Sequence, residues 1–174
     1  MDPNRSYHTL VKSDLRRLAR LAEGQLNDFF VRHPEFALLY RKRLLCSAVA
    51  DDAALHYLNG ATGLEEFRLW WFFAEHPEAP FPFHVVDHAD FGESKFGRAP
   101  HAPSGYVGRR VTLQGRSIDA KPDEDPLRAL QRYLRGGATP SARDLAQKAV
   151  VLLSPERWSG VQAWPALLLD GASA

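Results

Sequence analysis

Between residues 66 and 71 the side chains alternate. Phe67, Leu69 and Trp71 fall on one face, and Glu66, Arg68 and Trp70 on the other. That is the period of a β-strand. Residues 63–73 form the most apolar run in the chain. A turn signal around Asn59-Gly60 precedes the run and a Pro-rich stop, His76-Pro77-Glu78-Ala79-Pro80, follows it. The pattern predicts a central strand with a polar start and a fully buried end. Upstream the period changes to that of a helix. Leu15, Leu18, Ala22, Leu26, Phe29 and Phe30 make one stripe, with Ser13 as N-cap and a stop near Arg32. Pro34 can begin a second helix running to about Arg43. Residues 44–50 are apolar and short, and their period does not decide between a buried strand and a continuing helix. Asp51 and Asp52 read as an N-cap pair for a short helix over residues 53–58.

Residues 76–106 are rich in Pro and Gly and read as an ordered loop, with Val85-Val86 as a short strand piece. Residues 106–113 predict a second strand, with Val107, Arg109, Val111 and Leu113 on one face and Arg110 and Thr112 on the other. Asp125-Pro126 is a strong helix start. Leu127, Leu130, Tyr133 and Leu134 form its stripe, and Gly136-Gly137 closes it. Thr139-Pro140-Ser141 opens a last helix through about Leu153. The tail, residues 158–169, is apolar enough to pack back, and an exposed Trp158 or Trp164 there would point to a protein interface. The order predicts an α+β (α/β) domain, a small mixed sheet flanked by helices, over residues 13–174, behind a flexible N-terminus of residues 1–12.

Composition narrows this reading only a little. With 174 residues, 45% hydrophobic and 25% charged, the chain can bury one sizeable core. No run of about 18 apolar residues occurs, so no membrane partner is expected. The single cysteine, Cys46, lies in an apolar run and has no internal disulfide partner, which fits a cytoplasmic protein. The net charge of +1 conceals a segregation: residues 51–93 carry nine acids and one base, Arg68, whereas residues 94–118 carry Lys95, Arg98, Arg109, Arg110 and Arg116 and no acid. Either these segments pair with each other, or the second offers a basic surface to phosphate-bearing ligands.

No Gly-x-Ser-x-Gly, Walker loop or His-Glu-x-x-His is present. Cys46 is a core residue or a nucleophile. His84, Asp87, His88 and Asp90, with His101 further on, hold imidazoles and carboxylates that suit a transition metal, or else they are polar loop residues. Ser94, Lys95 and Arg98, in Asp90-Phe91-Gly92-Glu93-Ser94-Lys95-Phe96-Gly97-Arg98, are parts of an anion site with Arg109 and Arg110. The alternative is a loop held by Phe91 and Phe96 packed inward. Glu66 and Arg68 share a face, as do Arg110 and Thr112, so pairing of the two strands would gather all four in one patch.

These elements, in this order, resemble the polymerase-β-like nucleotidyltransferase fold. More narrowly, Ala54-Leu55-His56-Tyr57, Phe67-Arg68-Leu69-Trp70, Asp90-Phe91-Gly92 and Gly108-Arg109-Arg110-Val111 resemble a group of bacterial proteins described as nucleotidyltransferase-like. The resemblance covers about residues 13–153. It implies catalytic positions at Glu66, Arg68 and Thr112: an acid pair where Glu66 and Arg68 stand, a third acid where Thr112 stands, and a Gly-Ser turn near Asp52-Ala53. Here only Glu66 is acidic and the Gly-Ser turn is missing. One carboxylate holds two Mg²⁺ ions poorly, so the resemblance implies a domain without two-metal catalysis that binds a nucleotide, a nucleic acid or a protein partner. Arg68 would then pair with Glu66 or Asp52. The alternatives are an active Mg²⁺-dependent enzyme whose ligands Asp87, His88 and Asp90 reach in from the loop, or an interaction module of a toxin–antitoxin or defence system.

Overall fold

The computed structural model describes residues 2–81 and 86–167. In chain order the elements are α1 (Lys12–Arg32), α2 (Pro34–Tyr40), β1 (Leu44–Ala50), α3 (Asp51–Asn59), β2 (Phe67–Ala74), β3 (Val86–Asp90), β4 (Arg110–Ile118), α4 (Pro126–Gly136), α5 (Pro140–Leu145), β5 (Val150–Ser154) and β6 (Gln162–Trp164), with a 3-10 turn at Glu156–Trp158. The strands form one six-stranded sheet in the order β3-β4-β2-β1-β5-β6. β2 runs parallel to β4 and antiparallel to β1, and the remaining pairs are antiparallel. The expected α+β architecture with a mixed sheet is the one observed, and β2 is an interior strand.

The alternation along β2 sorts the core into two layers. Phe67, Leu69, Trp71 and Phe73 pack with α1 and α3, whereas Trp70 and Phe72 pack with α4 and α5. The first layer is rich in aromatic rings: Phe73 stacks on Phe81 with centroids 4.3 Å apart, and the buried Trp71 donates its indole N–H to Ala22 O at 3.1 Å. A side chain of this size gains roughly 1.5–3 kcal/mol or more on burial, so β2 is the main anchor of both layers.

β1 settles the ambiguity of residues 44–50 as a strand. It lies between β2 and β5 and is buried from Cys46 to Ala50, so both faces are apolar and no period survives in the sequence. The same physics hid β5. The helix predicted from Thr139 to about Leu153 stops at Leu145, because Val150, Val151, Leu152 and Leu153 are all buried in β5, which pairs with β1 through Val150, Val151, Leu152 and Ser154. The second strand is displaced from residues 106–113 to Arg110–Ile118. The Asp90 carboxylate takes the N–H groups of Val107 and Gly108, at 2.8 and 2.9 Å, and so keeps that stretch out of the ladder. Val86 belongs to a strand, β3; His84 and Val85 lie outside the described residues, as does the end of the tail.

The segment expected to be flexible at the N-terminus is docked in residues 4–10. Ser6 bridges Leu64 in antiparallel fashion, Leu10 is buried, and the ring of His56 contacts His8 O at 2.8 Å while accepting the Gly63 N–H at 3.1 Å. His56 is therefore satisfied on both ring nitrogens when Nε2 carries the proton. Among the described residues no helix is long and apolar enough to cross a membrane.

Candidate functional site

β1 ends at Ala50 and α3 begins at once. The turn between them is made by Asp51, whose φ of 59° is left-handed, a conformation glycine adopts freely and Asp or Asn tolerate. Its N–H is tied to Ala149 O at 3.1 Å. This places Asp51 and Asp52 in the first turn of α3, where the helix dipole favours carboxylates. The antiparallel register sets Ala50 opposite Arg68, so the start of β2 brings Arg68, Glu65 and Glu66 alongside. Asp144, Gln147 and Lys148, from the end of α5 and the residues after it, form the far wall, and His101 closes the side. Together they enclose a cleft of about 480 Å³.

Arg68 sits between two carboxylates, its Nε 3.3 Å from Asp51 Oδ2 and 3.6 Å from Glu66 Oε1. Its expected partner Glu66 is present, and Asp51 takes the place expected for Asp52. Asp52 is held instead by Arg5 at 2.9 Å and Lys148 at 2.8 Å. The two adjacent aspartates titrate in opposite directions. Burial raises the Asp51 pKa, the negative charges of Asp144 and Asp52 add to it, and Arg68 and Lys148 offset it only in part. Burial would also raise Asp52, but the hydrogen bonds from Lys148 and Arg5 outweigh it and hold this carboxyl below the usual aspartate range. His101 Nε2 lies 3.2 Å from Glu65 Oε1.

Thr112 is the register partner of Arg68 across the parallel β2–β4 pair, so three catalytic positions implied by the resemblance are neighbours in space. Thr112 does not line the cleft, however. Its hydroxyl lies 3.5 Å from His88 Nδ1, and His88 Nε2 lies 3.3 Å from an Arg110 Nη2. Both contacts are met when His88 carries its proton on Nδ1.

The metal set does not converge. Asp87 and His88 alternate to opposite sides of β3. Asp87 faces Arg32 at 3.4 Å, and Asp90 caps the N–H groups of Gly92, Val107 and Gly108. Among the described residues no group of three or more His, Cys, Asp or Glu side chains is placed to hold a metal ion.

The anion set is also dispersed. Ser94 Oγ accepts the Phe96 N–H, Lys95 pairs with Asp14 at 2.9 Å, and Arg98 donates to the carbonyls of Tyr106 and Ala102 at 2.8 Å each. Arg109 is buried and donates to Phe96 O, Asn4 O and Glu65 O; desolvation lowers its pKa, with Glu65 acting against it. Arg110 points to the other face of the sheet, toward His88. The packed alternative describes this loop: Phe91 and Phe96 are buried against Phe67, with centroids 4.8 and 5.6 Å from its ring. The two charge-segregated segments meet through Glu65 and His101, but most of their charges find partners elsewhere, in Arg5, Lys148, Arg32, Asp14 and the main chain.

Cys46 is buried and desolvation pushes its thiol up to about 12, so it stays protonated as a core residue. Trp158 and Trp164 pack against the second core layer, and the Trp164 indole donates to Ala146 O at 2.8 Å, which removes the interface signal. Sequence reasoning missed Asp51, Asp144, Lys148 and Arg5 as members of the charged site. The Asp51-Asp52 pair carries a signal in the sequence: both read as a helix cap, and Asp52, rather than Asp51, as a partner for Arg68. The comparisons with protein-family models, with curated proteins and with solved structures give no match to this chain.

Proposed function

We propose that this chain is a nucleotidyltransferase-like domain that has lost two-metal catalysis and now uses its cleft to bind a protein partner. One observation carries the reading: the Arg68 guanidinium lies between Asp51 and Glu66, beside Thr112 in register, at the position where the resemblance requires a second metal-binding acid. A fixed cation there repels the divalent ions that such chemistry needs. The left-handed Asp51 adds support, since this turn falls next to the place where the family pattern carries its small residues.

The charge of the cleft selects among the implied ligands. Asp51, Asp52, Glu65, Glu66 and Asp144 face it, against Arg68 and Lys148, with Arg5 bound to Asp52 beside it. A triphosphate or nucleic-acid backbone would enter against these carboxylates without metal ions to screen them, whereas a lysine or arginine side chain of a partner would be drawn in.

The test is to incubate the protein with ATP and Mg²⁺ or Mn²⁺, follow nucleotide transfer, and measure Mn²⁺ binding by calorimetry. The wild type is expected to show neither transfer nor stoichiometric Mn²⁺. Arg68→Asp, which removes the cation and adds a carboxylate between Asp51 and Glu66, is expected to gain Mn²⁺ binding. Metal-dependent transfer by the wild type that disappears in Glu66→Gln would overturn the proposal.

A further inference from the structure

A second opening, of about 520 Å³, lies between α1 and the β1–β5 pair and shares no residue with the charged cleft. It exists because short side chains face one another across it: Ala19 and Ala22 from α1, and Ser47 from β1. Behind them lie Trp71, Leu153, Leu26 and Phe30. The polar atoms of this floor are already satisfied. The Ser47 and Ser154 hydroxyls bond to each other at 2.7 Å, the Ser154 oxygen accepts the Ser47 N–H at 3.1 Å, and the Trp71 indole donates to Ala22 O. Ala19, Ala22, Ser47, Trp71, Leu26 and Phe30 carry no charge, so the floor asks for apolar contact.

The mouth is different. Arg16, Arg20 and Arg41 stand on it against Glu23 and Glu156. Arg16 is neutralised by Glu156 at 3.1 Å. Among the described residues Arg20 has no ion pair or side-chain hydrogen bond, and the Arg41 guanidinium, 5.6 Å over the Phe30 ring, has no anionic partner. The opening therefore joins an apolar floor to two arginines that have no carboxylate partner among the described residues.

We propose that this groove binds an amphipathic monocarboxylate, its apolar chain or ring over Ala19 and Leu44, outside the core formed by Trp71, Leu26 and Phe30, and its carboxylate held by Arg20 and Arg41 at the mouth. The volume falls within the range of roughly 300–1,000 Å³ typical of small-molecule pockets. The guanidinium fork matches a carboxylate in shape as well as charge. Glu23 and Glu156 oppose a polyanion, and the arginines oppose an apolar cation.

Decanoate is the probe, titrated below its micellar concentration by calorimetry, with decanol and decyltrimethylammonium in parallel. Decanoate is expected to bind saturably at one site, decanol about tenfold more weakly, and the ammonium compound more weakly still. Replacing both cations (Arg20→Ala with Arg41→Ala, two exposed positions) should bring decanoate to the level of decanol and leave decanol unchanged. Ala19→Trp should occlude the groove and abolish both, with a thermal melt establishing that the variant is folded. Failure of decanoate to saturate, equal binding of decanoate after both arginines are removed, or undiminished binding by folded Ala19→Trp would each overturn the proposal. The arginine pair decides the question if Ala19→Trp does not fold.

Discussion

The cleft beside Asp51 and the loop from Asp90 to Arg109 both gather charged side chains, and they use them in opposite ways. In the cleft, charge meets charge: Arg68 lies between Asp51 and Glu66, and Asp52 between Arg5 and Lys148, at half-exposed positions open to a ligand. In the loop, apart from Lys95 on Asp14 and His101 on Glu65, charge meets backbone. Arg109 and Arg98 donate to carbonyls, and Asp90 accepts three main-chain N–H groups. The approach is so close that a Cβ on Gly108 would sit 2.0 Å from Gly92 O. A composition that reads as an anion site in sequence is here the fastening of a loop. Clustered charge indicates binding only where its hydrogen-bonding capacity is not already used by the chain itself.

The comparison is sharpest at Arg109. Arg109→Met should cost about 3 kcal/mol in urea unfolding, because it strips a buried cation from the carbonyls of Phe96, Asn4 and Glu65. An unchanged midpoint would break the distinction between the two regions. Asp90→Ala should follow, at about 2 kcal/mol, by orphaning the N–H groups of Gly92, Val107 and Gly108. Both losses should leave decanoate binding in the α1 groove untouched in the folded fraction.

In the cleft the effects are smaller and depend on pH. The folded-state pKa of Asp52 is depressed, so its stabilisation is present above the unfolded value of about 3.9 and is lost as pH falls through the folded value. Asp52→Asn should therefore cost about 1 kcal/mol at pH 7, with the difference from wild type shrinking as the solution is acidified. Asp51 has the opposite sign. Its folded pKa is raised, so its ionised form burdens the folded state at neutral pH and the burden lifts as pH falls through the folded value. Asp51→Asn, which also tolerates the left-handed backbone, should raise Tm at pH 7 by on the order of 1 °C and lose that advantage in acid. Two neighbouring substitutions that shift Tm in the same direction at pH 7 would refute this assignment of the cleft charges.

Elements with one wet face were legible in the sequence. The stripe of α1 and the start of α4 at Asp125-Pro126 survive because one side of each meets solvent, and β2 shows its alternation at the polar start, Glu66 and Arg68, beyond which both of its faces are buried. β1 and β5 carry apolar residues on both faces, so their pattern says only that they are buried. The cleft divides in the same manner. Glu66 immediately precedes β2 and Arg68 is its second residue, so local geometry alone puts them together. Arg5 and Lys148 reach Asp52 from 47 and 96 residues away, a proximity created by docking the N-terminal segment and closing the sheet rather than by any local spacing.

The order of the strands also bears on aggregation. β2 carries Phe67, Leu69, Trp70, Trp71, Phe72 and Phe73, the segment of this chain most apt to stack with copies of itself if exposed. It lies behind β4 and β3 on one side and behind β1, β5 and β6 on the other. The outermost strands make poor templates: β6 spans only Gln162–Trp164 and is followed by Pro165, and β3 bears Asp87 and Asp90. Fraying at either rim of the sheet therefore releases short or charged strands first, and self-association through β2 requires the interior pairings to open.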